Sequence, residues 1–336
     1  MKLSIIVPVY QVENYIRPCI ESIFKQGLAE TDFEVIIVND GTKDRSMEMI
    51  EDIIATHKNI TVINQENQSL SVARNNGLAK AKGEYVLMPD SDDLLIDNSL
   101  PILLAKALET KADLIVADFL QMTDQQINTM TPIQQPPLDI HIRTGEDLFL
   151  IDLNPNECYV WRTLYRLEFL TENNILFIPG ISCQDVPFTH ECYLKAQNSL
   201  KVNTLLNIYR QRASSATSFF HKRKCTDLCT AMVATWKLRN LEGLTEKAKL
   251  KLFDNVFVTF KLLFYVMNRC SLSKPDRIEI FDTLQRMAPD LAFSHGFIQK
   301  VSTQIYYLSP SIIYWLYKKM KIITSVLLFS RRLISS

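Results

Sequence analysis

Short apolar runs alternate with amphipathic stretches through the first part of the chain. Residues 3–9 form a β-rich apolar run. Residues 12–26 have helical spacing, with Tyr15, Cys19 and Ile23 on one row and Ile16, Ile20 and Phe24 on the next, and they stop at Gly27. A second apolar run, 33–38, ends at Asn39-Asp40-Gly41. Residues 44–57 predict another amphipathic helix, with Met47, Ile50, Ile53 and Ile54 on one face, and 60–63 a third strand. A helix over 71–82 ends at Gly83, and a fourth strand covers 85–88. Pro101 opens a helix to about Thr110, and 114–117 is a fifth strand. This alternation predicts an α/β protein with a mainly parallel sheet covered by helices on both faces. Ligand sites in such sheets lie beyond the carboxyl ends of the strands. That rule selects the polar clusters 8–11, 39–42 and 90–93.

Residues 121–142 are rich in Gln, Thr and Pro and read as a long loop or irregular excursion near the site. Gly145-Glu146-Asp147 then opens a helix, residues 159–212 return to mixed α/β character, and from about Lys222 the chain reads as helical. The expected division is therefore 1–221, in two parts 1–120 and 121–221, followed by a helical region 222–336. A chain of 336 residues can bury a real core. Lys+Arg and Asp+Glu balance at 37 each, which gives no global field toward nucleic acid. The seven cysteines form no Cys-x-x-Cys pair and no zinc-site spacing, which fits a reducing cytoplasm. No signal-peptide pattern follows Met1-Lys2, and no stretch is long and clean enough to span a bilayer.

The run Tyr85-Val86-Leu87-Met88-Pro89-Asp90-Ser91-Asp92-Asp93 changes the picture most. A buried strand ending in Asp-x-Asp presents hard oxygen ligands at the carboxyl edge of a sheet. Such ligands suit Mg²⁺ or Mn²⁺, which could bind a diphosphate and neutralise a leaving nucleotide. Alternation along an extended segment would put Asp90 and Asp92 on one side. The competing reading is a turn or helix cap, which Asp-Ser-Asp also makes.

The strand-end clusters together resemble family-2 glycosyltransferases of the GT-A fold. Ser4-Ile5-Ile6-Val7-Pro8-Val9-Tyr10-Gln11 looks like that family's opening strand and turn, where Asn usually stands at the Gln11 position. Val38-Asn39-Asp40-Gly41-Thr42-Lys43-Asp44 is similar to its Asp-Asp-Gly-Ser-x-Asp segment, and Leu70-Ser71-Val72-Ala73-Arg74-Asn75-Asn76-Gly77 to its Ser-x-Ala-Arg-Asn-x-Gly helix. Gly83-Glu84-Tyr85 into Asp90-Ser91-Asp92-Asp93 matches its strand and metal motif. Val160-Trp161-Arg162-Thr163-Leu164-Tyr165, the segment through Gln184-Asp185-Val186-Pro187-Phe188, and Tyr209-Arg210-Gln211-Arg212 resemble later motifs. Any one of these is common, but all of them in this order are specific, and they cover roughly the first two-thirds of the chain.

The resemblance implies uracil recognition by Asp40, helped by main-chain groups at Pro8, Val9 and Tyr10. The alternative for Asp40 is a turn or cap, and Asp44 reads as the cap of the following helix. Arg74 is implied as a nucleotide or diphosphate contact, with Asn67 and Ser91 as further donor contacts. Ser69 stands where the family often has Gly, which implies a locally different backbone. By resemblance Asp92 coordinates the metal and Asp90 contacts ribose or sugar, with Asp90 and Asp93 as further metal candidates. Asp185 is the candidate general base, because inverting transfer to a hydroxyl needs a carboxylate to take the acceptor proton. The family's preceding Glu is Gln184 here. Trp161 is either an acceptor stack or core, one of Arg210 and Arg212 reaches the diphosphate or pairs on the surface, and His190 reads as structural.

After Asp290 the chain has lysines and arginines but no acidic residue, with aromatic weight at Tyr306, Tyr307, Tyr314, Trp315 and Tyr317. Residues 310–332 have the pattern of an interfacial helix on an anionic membrane; a packed helix with a solvated basic face is the alternative. The expected protein is a cytoplasmic enzyme, peripheral at the inner face of the cell membrane. It would use Mn²⁺ or Mg²⁺ and move a sugar from a nucleotide-diphosphate donor, a UDP-sugar by resemblance. The acceptor would be a glycan or lipid-linked glycan in surface polysaccharide assembly, and nucleic acid is not a partner. A nucleotidyltransferase would carry a glycine-rich loop after the first strand, and a dinucleotide oxidoreductase a Gly-x-Gly-x-x-Gly; neither is present. A scaffold that binds nucleotide sugar or lipid without turnover has Gln184 in its favour.

Overall fold

The computed structural model describes residues 1–212, 220–270 and 272–288. The chain runs through β1 (Leu3–Val9), α1 (Ile16–Phe24), β2 (Phe33–Asp40), α2 (Glu51–Thr56), β3 (Ile60–Gln65), α3 (Leu70–Leu78), β4 (Tyr85–Leu87) and β5 (Leu94–Leu95). It continues through α4 (Leu100–Thr110), β6 (Leu114–Thr123), α5 (Asp124–Thr129), β7 (Ile140–Arg143), α6 (Gly145–Asp147), β8 (Thr163–Arg166), α7 (Leu167–Glu172), α8 (Asp185–Lys195) and β9 (Ser199–Gln211). Among the described residues, α9 (Lys222–Lys237), α10 (Glu246–Arg269) and α11 (Lys274–Met287) follow.

The strands form one sheet in the order β3-β2-β1-β4-β8-β6-β9-β5, with β7 also on β9. Every residue of β1 is buried, because helices cover both of its faces. Leu3, Ile5, Val7 and Val9 point toward a core shared with α1, α2 and α4. Ile6 points the other way, toward a core that includes Ala73, Phe169 and Phe188. Helix α3 docks closely there: a Cβ on Gly77 would lie 2.3 Å from Ile6 Cγ2, so no larger residue fits. A third cluster joins α9, α10 and α11 through Leu228, Met232, Val256, Phe260, Ile280 and Leu284.

The expected parallel sheet is found from β3 to β4. Beyond β4 it is mixed, since β8 runs antiparallel to both β4 and β6 while β6 and β9 are parallel. Hydrophobic pattern fixes which residues are buried, not the direction of a strand, so this half was not legible. The stretch 121–142 is also more ordered than expected. Strand β6 continues to Thr123 because its outer half pairs with β9 as far as Gln211. A capping box of Thr123 and Gln126 then starts α5, and β7 begins at Ile140.

The helix expected over 12–26 is shorter, since residues 11–15 form a turn in which Gln11 has φ +53° and Ser46 Oγ accepts from Val12 N at 2.9 Å. Asp44 does not cap a helix. Its Oδ1 accepts from Ser46 N at 3.1 Å, an Asx turn that delays the helix to Glu48. The apolar stretch in α10 packs as core, with Val256, Phe260 and Leu263 buried. Among the described residues no helix is long and apolar enough to cross a membrane. The interfacial helix expected at 310–332 lies outside the described residues.

Candidate active site

The three strand-end clusters meet at one edge of the sheet. After β4 the chain turns, with Asp93 N donating to Asp90 O at 3.1 Å. This turn, not an extended segment, brings carboxylate oxygens of Asp90, Asp92 and Asp93 within 4.8 Å of one another. Asp93 joins the pair because of it. Its Oδ1 accepts from Arg210 N at 2.8 Å, while its buried Oδ2 has no hydrogen-bond partner among the described residues. Three hard oxygens, one of them an orphan, are a donor set that fits Mg²⁺ or Mn²⁺. Burial pushes the carboxyls of Asp90 and Asp93 well up, and the neighbouring carboxylates push them further. A dication is the counter-charge that would reverse both effects.

Arg74 is fully buried on α3 and joins two motifs. Its Nη2 donates to Asp90 Oδ1 at 2.6 Å and its Nη1 to Asp185 Oδ1 at 2.7 Å. The guanidinium also lies over the Phe177 ring, 5.3 Å from its centroid. With no exposed surface, its two terminal nitrogens face these carboxylates here and not an open donor pocket.

Asp185 is the first residue of α8, where the helix N-terminus favours a carboxylate. Gln184 Nε2 donates to its Oδ1 at 2.7 Å. Arg74 uses the same oxygen, so among the described residues both donors fall on Oδ1 and Oδ2 is left for other work. Burial raises the Asp185 carboxyl, and Arg74 only partly opposes this. The helix is anchored from behind by His190. Its Nδ1 lies 2.7 Å from Val186 O, and Asn255 Nδ2 on α10 lies 3.0 Å from its Nε2. Burial lowers the imidazole to about 4, so His190 is neutral and structural, as its position predicts. The preceding loop is tied to α9, where Asp227 Oδ2 accepts from Ser182 N at 3.0 Å.

The residues expected to bind the nucleotide lie on β1, β2 and the loop before α3. Pro8 and Val9 are buried, whereas Tyr10 is exposed. Ser91 is buried too, which removes most of its surface from a donor. Asp40 is buried with its carboxylate already engaged: Oδ1 accepts from Gln65 Nε2 at 2.7 Å and Gln68 N at 2.8 Å, and Oδ2 from Ser69 N at 3.1 Å. It therefore braces the loop that carries the exposed Asn67, a task the sequence did not reveal. Gly41 permits the close approach, since a Cβ there would lie 2.8 Å from Asn67 N. Ser69 keeps a glycine-like backbone (φ +98°), contrary to the altered loop expected from a serine.

At the far side, Arg210 Nε donates to Asp92 O at 2.8 Å and its Nη1 pairs with Asp124. Arg212 Nη2 lies 2.5 Å from Asp92 Oδ2. Both guanidiniums sit over Tyr15, a partner that no sequence signal indicated. Trp161 is buried in an aromatic cluster, stacked on Tyr159 at 4.8 Å and Tyr209 at 5.6 Å. It is core, and the partly exposed tyrosines are the members that face outward. Tyr209 precedes Arg210, whose main-chain N–H bonds Asp93, so this cluster borders the acidic one.

A layered α/β sheet with clustered carboxylates beyond its strand ends is a ligand-binding arrangement, and the comparisons narrow it to a class of enzyme. Residues 4–168 match the family model of Glycosyl transferase family 2. The uncharacterized glycosyltransferase EpsJ of Bacillus subtilis is 33% identical over 228 residues, covering 66% of this chain and 64% of that protein. The match thus spans less than two thirds of that relative's length. The crystal structure of Staphylococcus aureus TarS 1–349 in complex with UDP-GlcNAc superposes with a TM-score of 0.67 at 21% identity, over 92% of each chain. Mannosyltransferase PcManGT from Pyrobaculum calidifontis, in complex with GDP-Man and Mn²⁺, superposes with a TM-score of 0.53 at 13% identity over 92% of this chain and 87% of that one. Residues 4–168 are thus a glycosyltransferase family 2 domain, and the chain shares the GT-A fold of these solved structures.

Proposed function

We propose that this chain is an inverting glycosyltransferase that moves a sugar from a UDP-sugar to an acceptor hydroxyl during surface polysaccharide or related glycan assembly. The observation that carries the reading is the Arg74 bridge, which sets Asp185 beside the acidic cluster through bonds of 2.6 and 2.7 Å. The residues of that cluster, Asp90, Asp92 and Asp93, are those that would hold Mn²⁺ or Mg²⁺. When bound, the ion would neutralise the departing diphosphate. Asp185 takes the acceptor proton on Oδ2 while Arg74 and Gln184 hold Oδ1, and the deprotonated oxygen attacks the anomeric carbon from the face opposite the diphosphate. The upward shift of Asp185 makes it the stronger base. Uridine is assigned to the strand ends at the β1 main chain of Pro8, Val9 and Tyr10, together with Asp40 and Asn67. The UDP-GlcNAc held by TarS supports that donor class. A basic 310–332 segment would keep the enzyme close to a lipid-linked acceptor at the membrane.

Calorimetric titration with UDP, GDP and CDP, with and without Mn²⁺, tests the donor site. The expected result is metal-dependent binding selective for UDP that disappears in Asp92→Ala. Asp185→Asn should keep that binding and lower transfer on the order of 1,000-fold. Normal transfer by Asp185→Asn would refute the base assignment.

A further inference from the structure

The three carboxylates of the acidic cluster meet very different partners. Asp90 faces the fully buried Arg74, and Asp93 faces the main-chain N–H of Arg210 within β9. Neither partner can leave without disturbing a helix or a strand. Asp92 Oδ2 faces the guanidinium of Arg212, one residue beyond the end of β9. That guanidinium rests on the Tyr15 ring at 4.7 Å, and its Nε has no hydrogen-bond partner among the described residues. Arg210 is different again, since its side chain is fixed by Asp124 and by the main chain of Asp92.

Arg212 thus occupies an oxygen that the proposed metal requires. A dication and a guanidinium repel one another and compete for the same carboxylate. A guanidinium without its carboxylate is well suited to phosphate oxygens, which its fork matches in pairs. Phosphates carried by an ion at Asp92 lie next to that residue, where the Arg212 side chain already is. The Tyr15 face can keep the cation in place during such a change of partner.

We propose that Arg212 is a donor-binding residue held by Asp92 in the ligand-free enzyme, which moves from that carboxylate to the diphosphate of the arriving nucleotide. The proposal rests on the reading of the acidic cluster as a metal and donor site. Its consequence is mutual dependence of metal and nucleotide. An ion alone must displace Arg212 and leave it unpaired, whereas an ion with a nucleoside diphosphate gives the displaced cation a new partner. The metal should therefore bind weakly alone and tightly with the nucleotide.

The test follows Mn²⁺ binding by the loss of the free-ion electron paramagnetic resonance signal, and UDP binding by calorimetry at saturating Mn²⁺. Wild type, Arg212→Gln and Arg212→Lys are compared. Arg212→Gln should bind Mn²⁺ alone roughly ten-fold more tightly and UDP with Mn²⁺ roughly ten-fold more weakly, because one charge-assisted pair is removed and another cannot form. Arg212→Lys should resemble wild type toward Mn²⁺ alone and lose part of the UDP affinity, since it keeps the charge without the fork. Unchanged Mn²⁺ affinity in Arg212→Gln, or equal weakening of both ligands, would overturn the proposal. Absence of Mn²⁺ binding in all three proteins, with or without UDP, would instead refute the underlying metal-site reading.

Discussion

Arg74 and Arg212 each pair with a carboxylate of one acidic cluster, yet their surroundings differ. Arg74 is sealed beneath the site between α3 and α8, and both of its terminal nitrogens are engaged. Arg212 is partly exposed at the rim, with Asp92 as its carboxylate partner and Tyr15 beneath it. The same chemistry serves two ends. A buried pair is strongly destabilising to break because it strands charge away from water, so it acts as architecture. A rim pair is weakened by water and salt, so it can be exchanged for a ligand.

The sharpest way to break this comparison is to alter Arg74. Arg74→Met leaves Asp90 and Asp185 facing one another without a counter-ion. A destabilisation of about 3 kcal/mol is expected, toward the low end for buried pairs because both carboxylates keep some contact with water. Arg74→Lys retains the charge but has one nitrogen where two are needed. It should fold, bind UDP, and lose on the order of 100-fold in kcat, because Asp185 is no longer aligned with the cluster. Denaturant melts and transfer rates on both variants check this. A fully active Arg74→Lys would mean that the floor of the site is no more fixed than its rim.

A smaller effect is expected at Gln184. Gln184 donates to Asp185 Oδ1, an interaction that an ionised Glu at this position cannot make. Gln184→Glu would place a negative charge beside a carboxyl that burial already raises. Like charge raises it further. Asp185 must be ionised to accept a proton, so the acidic limb of the kcat/KM profile should move to higher pH, with activity kept on the alkaline side. An unmoved limb would show that Gln184 does not set the basicity of Asp185. The amide also removes the main support for a non-enzymatic scaffold, since it serves the candidate base directly.

What the sequence disclosed follows the range of the interactions. The β1 run and the Asp90, Asp92, Asp93 cluster are local, so pattern and spacing suffice to find these residues, though not the turn that gathers them. The bond from Arg74 to Asp185 joins residues 111 apart, and no periodicity reports it. For the same reason the pairing of Arg212 with Asp92 and Tyr15 was out of reach. Trp161 looked like a possible sugar platform until its neighbours Tyr159 and Tyr209 were placed around it. Strand direction beyond β4 was hidden because a buried four-residue strand reads alike in either orientation.

The smallest effect lies in the backbone at the rim. Gln11 is exposed and has φ +53°, a conformation that Asn tolerates better than Gln because its short side chain can bond locally. The bond here from Gln11 N to Thr42 Oγ1, 2.8 Å long, uses the main chain and survives the substitution. Gln11→Asn should therefore stabilise the protein by up to about 1 kcal/mol. It should leave UDP affinity and transfer unchanged, since no contact of Arg74 or Arg212 is touched. A shifted urea midpoint with unaltered binding would separate rim strain from rim function. A change in UDP affinity would show that the β1 turn and the donor site are coupled, and that the rim is less independent of the floor than the two arginines suggest.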